Sequence, residues 1–213
     1  MNDHSPSASP STAADLAYLR GLAAAGQDAP LMAGPYLVAG GSWFAAASLV
    51  QWVTLRELVG LSQSSAILAW LIAAAGFAVH LAVLVRRDRA KVENTNNRAI
   101  NSVWTGIGFS IFAFWLGVTI IAYRTGEMVV LNSISLYVIG AYGVGWILAA
   151  AMTGRDWMRV NGIFALITVP VLGALVGTGQ EYLAYAIALV LTAVVPGIRI
   201  MREAAAKKIA APV

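Results

Sequence analysis

The sequence alternates long apolar runs with short polar segments, and six of the runs are long enough to cross a membrane. They cover residues 34–54, 64–85, 100–123, 129–152, 157–176 and 182–201. A helix needs about 20 apolar residues to cross roughly 30 Å of hydrocarbon. We therefore predict an all-α fold, a polytopic membrane protein with a bundle of six transmembrane helices in one domain over residues 34–203.

The segments outside the apolar runs predict three further elements. Residues 1–12 are rich in Ser and Pro, lack apolar periodicity and predict a disordered tail. Residues 13–27 place Leu16, Leu19 and Leu22 on one face, which predicts a short amphipathic helix at the membrane interface. Residues 204–213 predict a cytoplasmic tail.

Positive charge indicates how the six spans are oriented. The segment between the second and third runs contains five basic residues, Arg86, Arg87, Arg89, Lys91 and Arg98. Short loops rich in Lys and Arg stay in the cytoplasm. With this loop inside, the only positive residues left outside are Arg56 and Arg124. We predict a multi-pass protein of the bacterial cytoplasmic (inner) membrane with both termini in the cytoplasm.

Composition supports the lipid bilayer as the main partner and argues against nucleic acid. The chain is 59% hydrophobic and 11% charged, whereas soluble domains carry about 25% charged residues. The net charge of +4 comes from residues at the span ends, where anionic head groups lie. The chain has no cysteine, which excludes disulfides, thiolate metal sites and cysteine nucleophiles.

Small residues and prolines inside the spans predict where helices approach and bend. Gly106 with Ser110, the segment 140–145, and the pair Gly173 and Gly177 predict close contacts within the bundle, with a dimer face as the alternative. Pro170 and Pro196 each lack the N–H that a helical carbonyl four residues earlier would accept, and they predict kinks. Kinked helices often line transporter sites, but they also occur in membrane helices of every function.

Five residues in the cytoplasmic half of the spans are candidates for ligand binding. They are His80, Asn101, Trp104, Asn161 and Thr192. An ionisable group such as His80 inside a span is a functional-site hypothesis by default. These residues predict either a polar pocket with aromatic cover or a set of hydrogen bonds between helices.

The outer ends of the spans carry a second polar set, which includes Gln51, Tyr123, Asn132 and Glu181. Its two interpretations are a rim exposed to water and the mouth of a cavity. Because Glu57, Glu127 and Glu181 all lie at helix ends, the sequence disfavours a proton-coupled antiporter.

No nucleotide-binding, metal or hydrolase motif is present, so we expect no cofactor and no enzymatic activity. The first hypothesis is a small sensor, regulatory or accessory subunit that docks through the basic loop and binds another membrane protein or itself. The alternative is a channel or facilitative transporter for a small neutral solute. A third hypothesis is an enzyme acting on lipid, with His80 as its base.

The orientation is testable with reporter fusions. Alkaline phosphatase fused after Val213 should be inactive and a fluorescent protein there should be bright, whereas phosphatase inserted at Gly60 should be active. An active phosphatase at Val213 would show the predicted orientation to be wrong.

Overall fold

The computed structural model describes residues 14–17, 31–88 and 95–210. Residues 14–17 are helical, but the predicted tail 1–12 and the rest of the predicted interfacial helix lie outside the described residues. Arg89 and Lys91 of the basic loop and residues 211–213 also lie outside them. The described residues are 90% helix and contain no strand, which confirms the all-α prediction.

The helices follow the six apolar runs. Helix α1 covers Gly34–Leu55, α2 Gln63–Asp88 and α3 Thr95–Thr125. A 3-10 helix, Met128–Asn132, precedes α4 (Ser133–Thr153), and α5 covers Asp156–Leu175. The sixth span consists of α6 (Gln180–Leu189), a π-helical turn (Val190–Val194) and α7 (Val195–Ala210). Within the described ranges, six helical stretches are long and apolar enough to cross a membrane, as in a multi-pass membrane protein.

Local sequence explains several helix ends. Pro35 lies in the first turn of α1, where its missing N–H costs nothing. Helix α4 ends at Gly154, whose φ of 69° is left-handed and whose N–H bonds the carbonyl of Ala150 at 2.8 Å. Asp156 then opens α5 with a negative charge at the positive end of the helix dipole.

Neighbouring helices run antiparallel, so α1, α3 and α5 begin at one end of the molecule. The side chain of Tyr36 bonds Asp88 at 3.0 Å, joining the start of α1 to the end of α2. Arg86, Arg155 and Arg199 lie at this same end, which we call the basic end. The other end, where α1, α3 and α5 finish, is the opposite end.

The packing order differs from the chain order. Helix α1 packs on α2 and on the whole sixth span, which in turn contacts α4 and α5, and α3 packs on α4. In α1 and in the sixth span, half of the most apolar 18-residue stretch is buried, whereas in α2 and α3 only 11% of the corresponding stretch is buried. The first and sixth spans therefore form the centre of the molecule, and α2 and α3 form its edges.

Two glycine pairs let helix backbones approach closely. A Cβ on Gly197 would lie 2.9 Å from the carbonyl oxygen of Gly34, so α7 crosses α1 backbone to backbone. A Cβ on Gly162 would lie 2.8 Å from the carbonyl oxygen of Gly143, where α5 crosses α4. Close approach at small residues is a common way for helices to pack in lipid.

Two of the predicted small-residue contacts are wrong. No atom lies within 4 Å of a Cβ built on Gly106, so that residue makes no contact inside the bundle. Gly177 has a φ of 79° and lies in the turn after α5, also with no neighbour. A Cβ on Gly173 would lie 3.4 Å from Leu136 of α4, so only the first residue of this GxxxG pair takes part in helix packing.

The backbone crossing predicts a contrast between two identical substitutions. Gly197→Ala should lower the free energy of unfolding by about 1–3 kcal/mol, because the methyl group meets the Gly34 carbonyl. Gly106→Ala should be neutral or slightly stabilising, because alanine favours helix and the space is open. Thermal unfolding of both variants in detergent would measure the difference, and equal melting temperatures would contradict the crossing.

Candidate functional site

The sixth span has an irregular turn in which one backbone carbonyl, that of Thr192, accepts hydrogen bonds from two other helices. Pro196 has no N–H to offer the carbonyl of Thr192, and the π-helical turn Val190–Val194 precedes it. The indole of Trp146 donates to this carbonyl oxygen at 2.7 Å, and the amide of Asn161 donates at 3.3 Å. Helices α4 and α5 are thus joined to the sixth span at one backbone oxygen.

Aromatic rings surround this junction. Trp146 is 1% exposed, and its ring lies 5.2 Å from that of Trp104 and 5.6 Å from that of Trp157. Tyr142 packs edge-on against Trp104 at 5.8 Å. The described part of the basic half is therefore filled by large side chains.

Charged groups close the basic end over the rings. The guanidinium of Arg199 lies 4.4 Å from the ring centre of Trp157, a favourable cation–π geometry. Glu203 accepts hydrogen bonds from Arg199 at 3.0 Å and from Arg155 at 2.8 Å. These contacts tie the start of α5 to the end of the sixth span.

The predicted binding set is only partly brought together. Trp104, Asn161 and Thr192 meet at the junction, where they pack and bond to one another's helices. Asn101 is half-buried one turn before Trp104. His80 is exposed on α2, which packs on α1, and so lies apart from the junction. Asn161 and Thr192 are thus joined by a hydrogen bond between helices, with Trp104 packed beside the junction and His80 apart from it.

The two prolines have different settings. Pro170 is exposed, and α5 continues through it without a break from Asp156 to Leu175. Pro196 is buried directly after the π-helical turn. Only the second proline coincides with irregular backbone.

A cleft of about 410 Å³ that is open to the surface, which we call the chamber, lies at the opposite end between α1, α2 and the start of α6. Its wall is formed by the end of α1, the start of α2, the turn after α5 and the start of α6. The lining residues are Gln51, Leu55, Arg56, Gln63, Gly177, Thr178, Gly179, Glu181 and Tyr182. A second, larger depression lies between α3 and α4 and is lined mainly by apolar groups. Polar chemistry is therefore concentrated in the chamber.

The turn after α5 sets the direction in which α6 starts. Gly177 and Gly179 have φ angles of 79° and 78°, a region that favours glycine. The hydroxyl of Thr178 between them donates to the carbonyl of Leu175 at 2.6 Å and accepts from the N–H of Gln180 at 3.2 Å. This geometry carries the first residues of α6 against α1.

Side chains from α1 and from the 3-10 helix fix the start of α6. The indole of Trp52 donates to the side-chain oxygen of Gln180 at 3.1 Å. Asn132 donates to Glu181 Oε1 at 3.2 Å and accepts from the hydroxyl of Tyr182 at 3.0 Å. Ser48 donates to the Tyr182 carbonyl at 2.7 Å. The carboxyl of Glu181 is therefore held in one position.

Glu181 is the chemically distinctive residue of the chamber. It is 4% exposed, and its Oε2 is the only buried side-chain oxygen or nitrogen in the described part of the chain that has no hydrogen-bond partner. A buried polar atom without a hydrogen-bond partner is unusual in a folded protein. Oε2 of Glu181 thus lacks a hydrogen-bond donor.

The sequence predicted the polar set around the chamber but not its burial. Tyr123 is 87% exposed, and Glu57 and Glu127 are also exposed, as expected of a wet rim. Gln51 and Glu181 are 6% and 4% exposed, so the rim interpretation is wrong for them. The two glycines around Thr178 were the available signal, because they predict a tight turn that folds α6 back.

The junction at Thr192 predicts a specific loss of stability. Trp146→Phe keeps an aromatic ring but removes the indole donor, and it should lower the free energy of unfolding by about 1 kcal/mol. Trp115→Phe, at a 43% exposed position of α3, is the matched control and should have no effect. Chemical unfolding in mixed micelles would measure both, and equal stabilities would contradict a role for the indole bond.

The chain matches no protein-family model, no curated protein and no solved structure. The packing of the helices and the polar groups of the chamber are the features that bear on its function.

Proposed function

We propose that this protein is a non-enzymatic sensor, regulatory or accessory subunit of a membrane complex. It crosses the bacterial cytoplasmic membrane six times, with both termini and the basic end in the cytoplasm. The observation that carries the proposal is the exposed face of α3. This helix lies at the edge of the molecule, and only 11% of its most apolar 18-residue stretch is buried.

Small residues form a strip along that face. Gly106, Ala113 and Gly117 are separated by seven and four residues, which is close to whole helical turns. No atom lies within 4 Å of a Cβ built on Gly106 or Gly117, and Ala113 is exposed. Small residues let another transmembrane helix approach closely. The face is therefore suited to a helix of a partner protein.

The basic end supplies a second contact surface. Arg86, Arg87 and Arg98 are exposed, and the sequence continues the charge with Arg89 and Lys91. Their positive charge suits anionic lipid head groups or an acidic cytoplasmic surface of the partner. The subunit would thus dock through α3 in the membrane and through the basic loop beside it.

Packing in the middle of the molecule supports a subunit over the alternative of a channel or facilitative transporter for a neutral solute. Such a protein needs a polar path past the midplane. Between the chamber and the Thr192 junction, the described residues include a buried apolar cluster with Ala45, Val138, Ile139 and Leu189. The chamber is lined by residues near the helix ends only.

Photo-crosslinking in native membranes tests the proposal. A photoreactive phenylalanine at Phe109, which is 70% exposed beside the small strip of α3, should give a discrete protein adduct. The same residue at Phe164, 42% exposed on α5, is the control and should react with lipid only. The mass of the adduct distinguishes a second copy from another protein.

A second substitution links the adduct to the strip. Gly106→Leu should lower the yield at Phe109 about tenfold, equivalent to ~1.4 kcal/mol, while the isolated protein keeps its melting temperature. Lipid adducts alone at both positions, or an unchanged yield with Gly106→Leu, would count against docking through α3.

A further inference from the structure

We propose that the chamber at the opposite end binds a small organic molecule that carries a protonated amine, and that Glu181 is the residue that pairs with the amine. The inference goes beyond the proposed function and does not depend on it, because binding is measured on the isolated protein. Three observations support it: the buried carboxylate of Glu181, the volume of the chamber and the positive charge of Arg56 in its wall.

The carboxyl of Glu181 has one oxygen satisfied and one unsatisfied. Asn132 holds Oε1 at 3.2 Å, while Oε2 has no partner among the described residues. An ammonium group supplies up to three donors and a full positive charge, and hydrogen bonds between charged groups are the strong ones. A bound amine would therefore meet the demand that the chain leaves open.

The surroundings of Glu181 favour an amine over a metal ion. Divalent cations in proteins take several oxygen ligands, usually with more than one carboxylate. Among the described residues, no group of three His, Asp or Glu side chains could hold a metal ion. An ammonium group is satisfied by one carboxylate together with neutral acceptors, and the amide of Gln51 in the chamber wall offers such an acceptor.

The chamber also limits the size and form of the ligand. Its volume of about 410 Å³ suits a small molecule and lies in the lower range of ligand pockets. Leu55 and Tyr182 provide apolar surface for a short carbon skeleton. The exposed side chain of Arg56 at the wall offers a positive charge for an anionic end. A small zwitterion of the amino-acid type satisfies both charges.

The carboxylate is positioned before any ligand arrives. Asn132 is itself held by the hydroxyl of Tyr182 at 3.0 Å, and Ser48 fixes the Tyr182 backbone at 2.7 Å. Binding to a group that is already held loses less conformational entropy. The hydrogen bonds around Asn132 thus hold the carboxyl group of Glu181 in the position from which it would bind the amine.

Calorimetry on the purified full-length chain in lipid nanodiscs tests the inference with four probes of similar size. These are propylamine, glycine, propionate and propanol. The two probes that carry an ammonium group should bind, and propionate and propanol should not. Glu181→Gln should weaken amine binding about ten- to a hundredfold, the loss expected for a charge-assisted bond.

A matched control separates Glu181 from other carboxylates at the same end. Glu127→Gln removes an exposed carboxylate and should leave binding unchanged. If the natural ligand is a zwitterion, Arg56→Gln should weaken the binding of glycine but not that of propylamine. If the ligand is a simple amine, the substitution should weaken the binding of neither probe. Both results support the amine site, and the difference between them shows which kind of ligand it binds.

Three results would overturn the inference. They are no binding of either amine to the wild-type chain, equal binding of all four probes, and equal affinities of the Glu181→Gln and Glu127→Gln variants. If Glu181→Gln fails to fold, as judged by size-exclusion chromatography, the charge selectivity of the wild-type chain decides the question by itself.

Discussion

The carbonyl oxygen of Thr192 is the point on which the packing of the molecule depends. In lipid, a backbone carbonyl that loses its helical partner must find another donor, and Pro196 removes the usual one. Trp146 from α4 and Asn161 from α5 supply donors at 2.7 and 3.3 Å. The irregular turn of the sixth span therefore fixes the positions of two other helices, and the rings around Trp146 fill the space that results.

The same arrangement gives the two ends of the molecule different characters. At the basic end, rings and the ion pairs of Glu203 with Arg155 and Arg199 leave a filled interior. At the opposite end, the turn around Thr178 directs Glu181 inward and leaves a chamber beside it. The packed basic end supports the helices that form the chamber. Under the proposed binding of an amine, the polar groups of the chamber would be in place before the ligand arrives.

The edges of the molecule differ from its centre for a related reason. The first and sixth spans cross backbone to backbone at Gly34 and Gly197, and half of their most apolar stretch is buried inside the molecule. Helices α2 and α3 contact mainly one neighbour each. Beside Gly34 and Gly197, at the centre, the space that a Cβ would take is filled by backbone and side-chain atoms of the other helix. A Cβ on Gly106 or Gly117 of α3 would meet no atom within 4 Å. The same residue type thus serves internal packing at one place and an open face at another.

The sequence by itself determined the helices, because apolar run length and the short polar gaps leave lipid-crossing helices as the only compact solution. It also identified Thr192 as a carbonyl without a partner and Asn161 as a polar residue at the same depth. Only the tertiary structure decided which faces meet: it placed His80 on an exposed face and Asn161 on Thr192. It likewise buried Glu181, since helix rotation and turn direction depend on contacts between distant residues that periodicity does not encode.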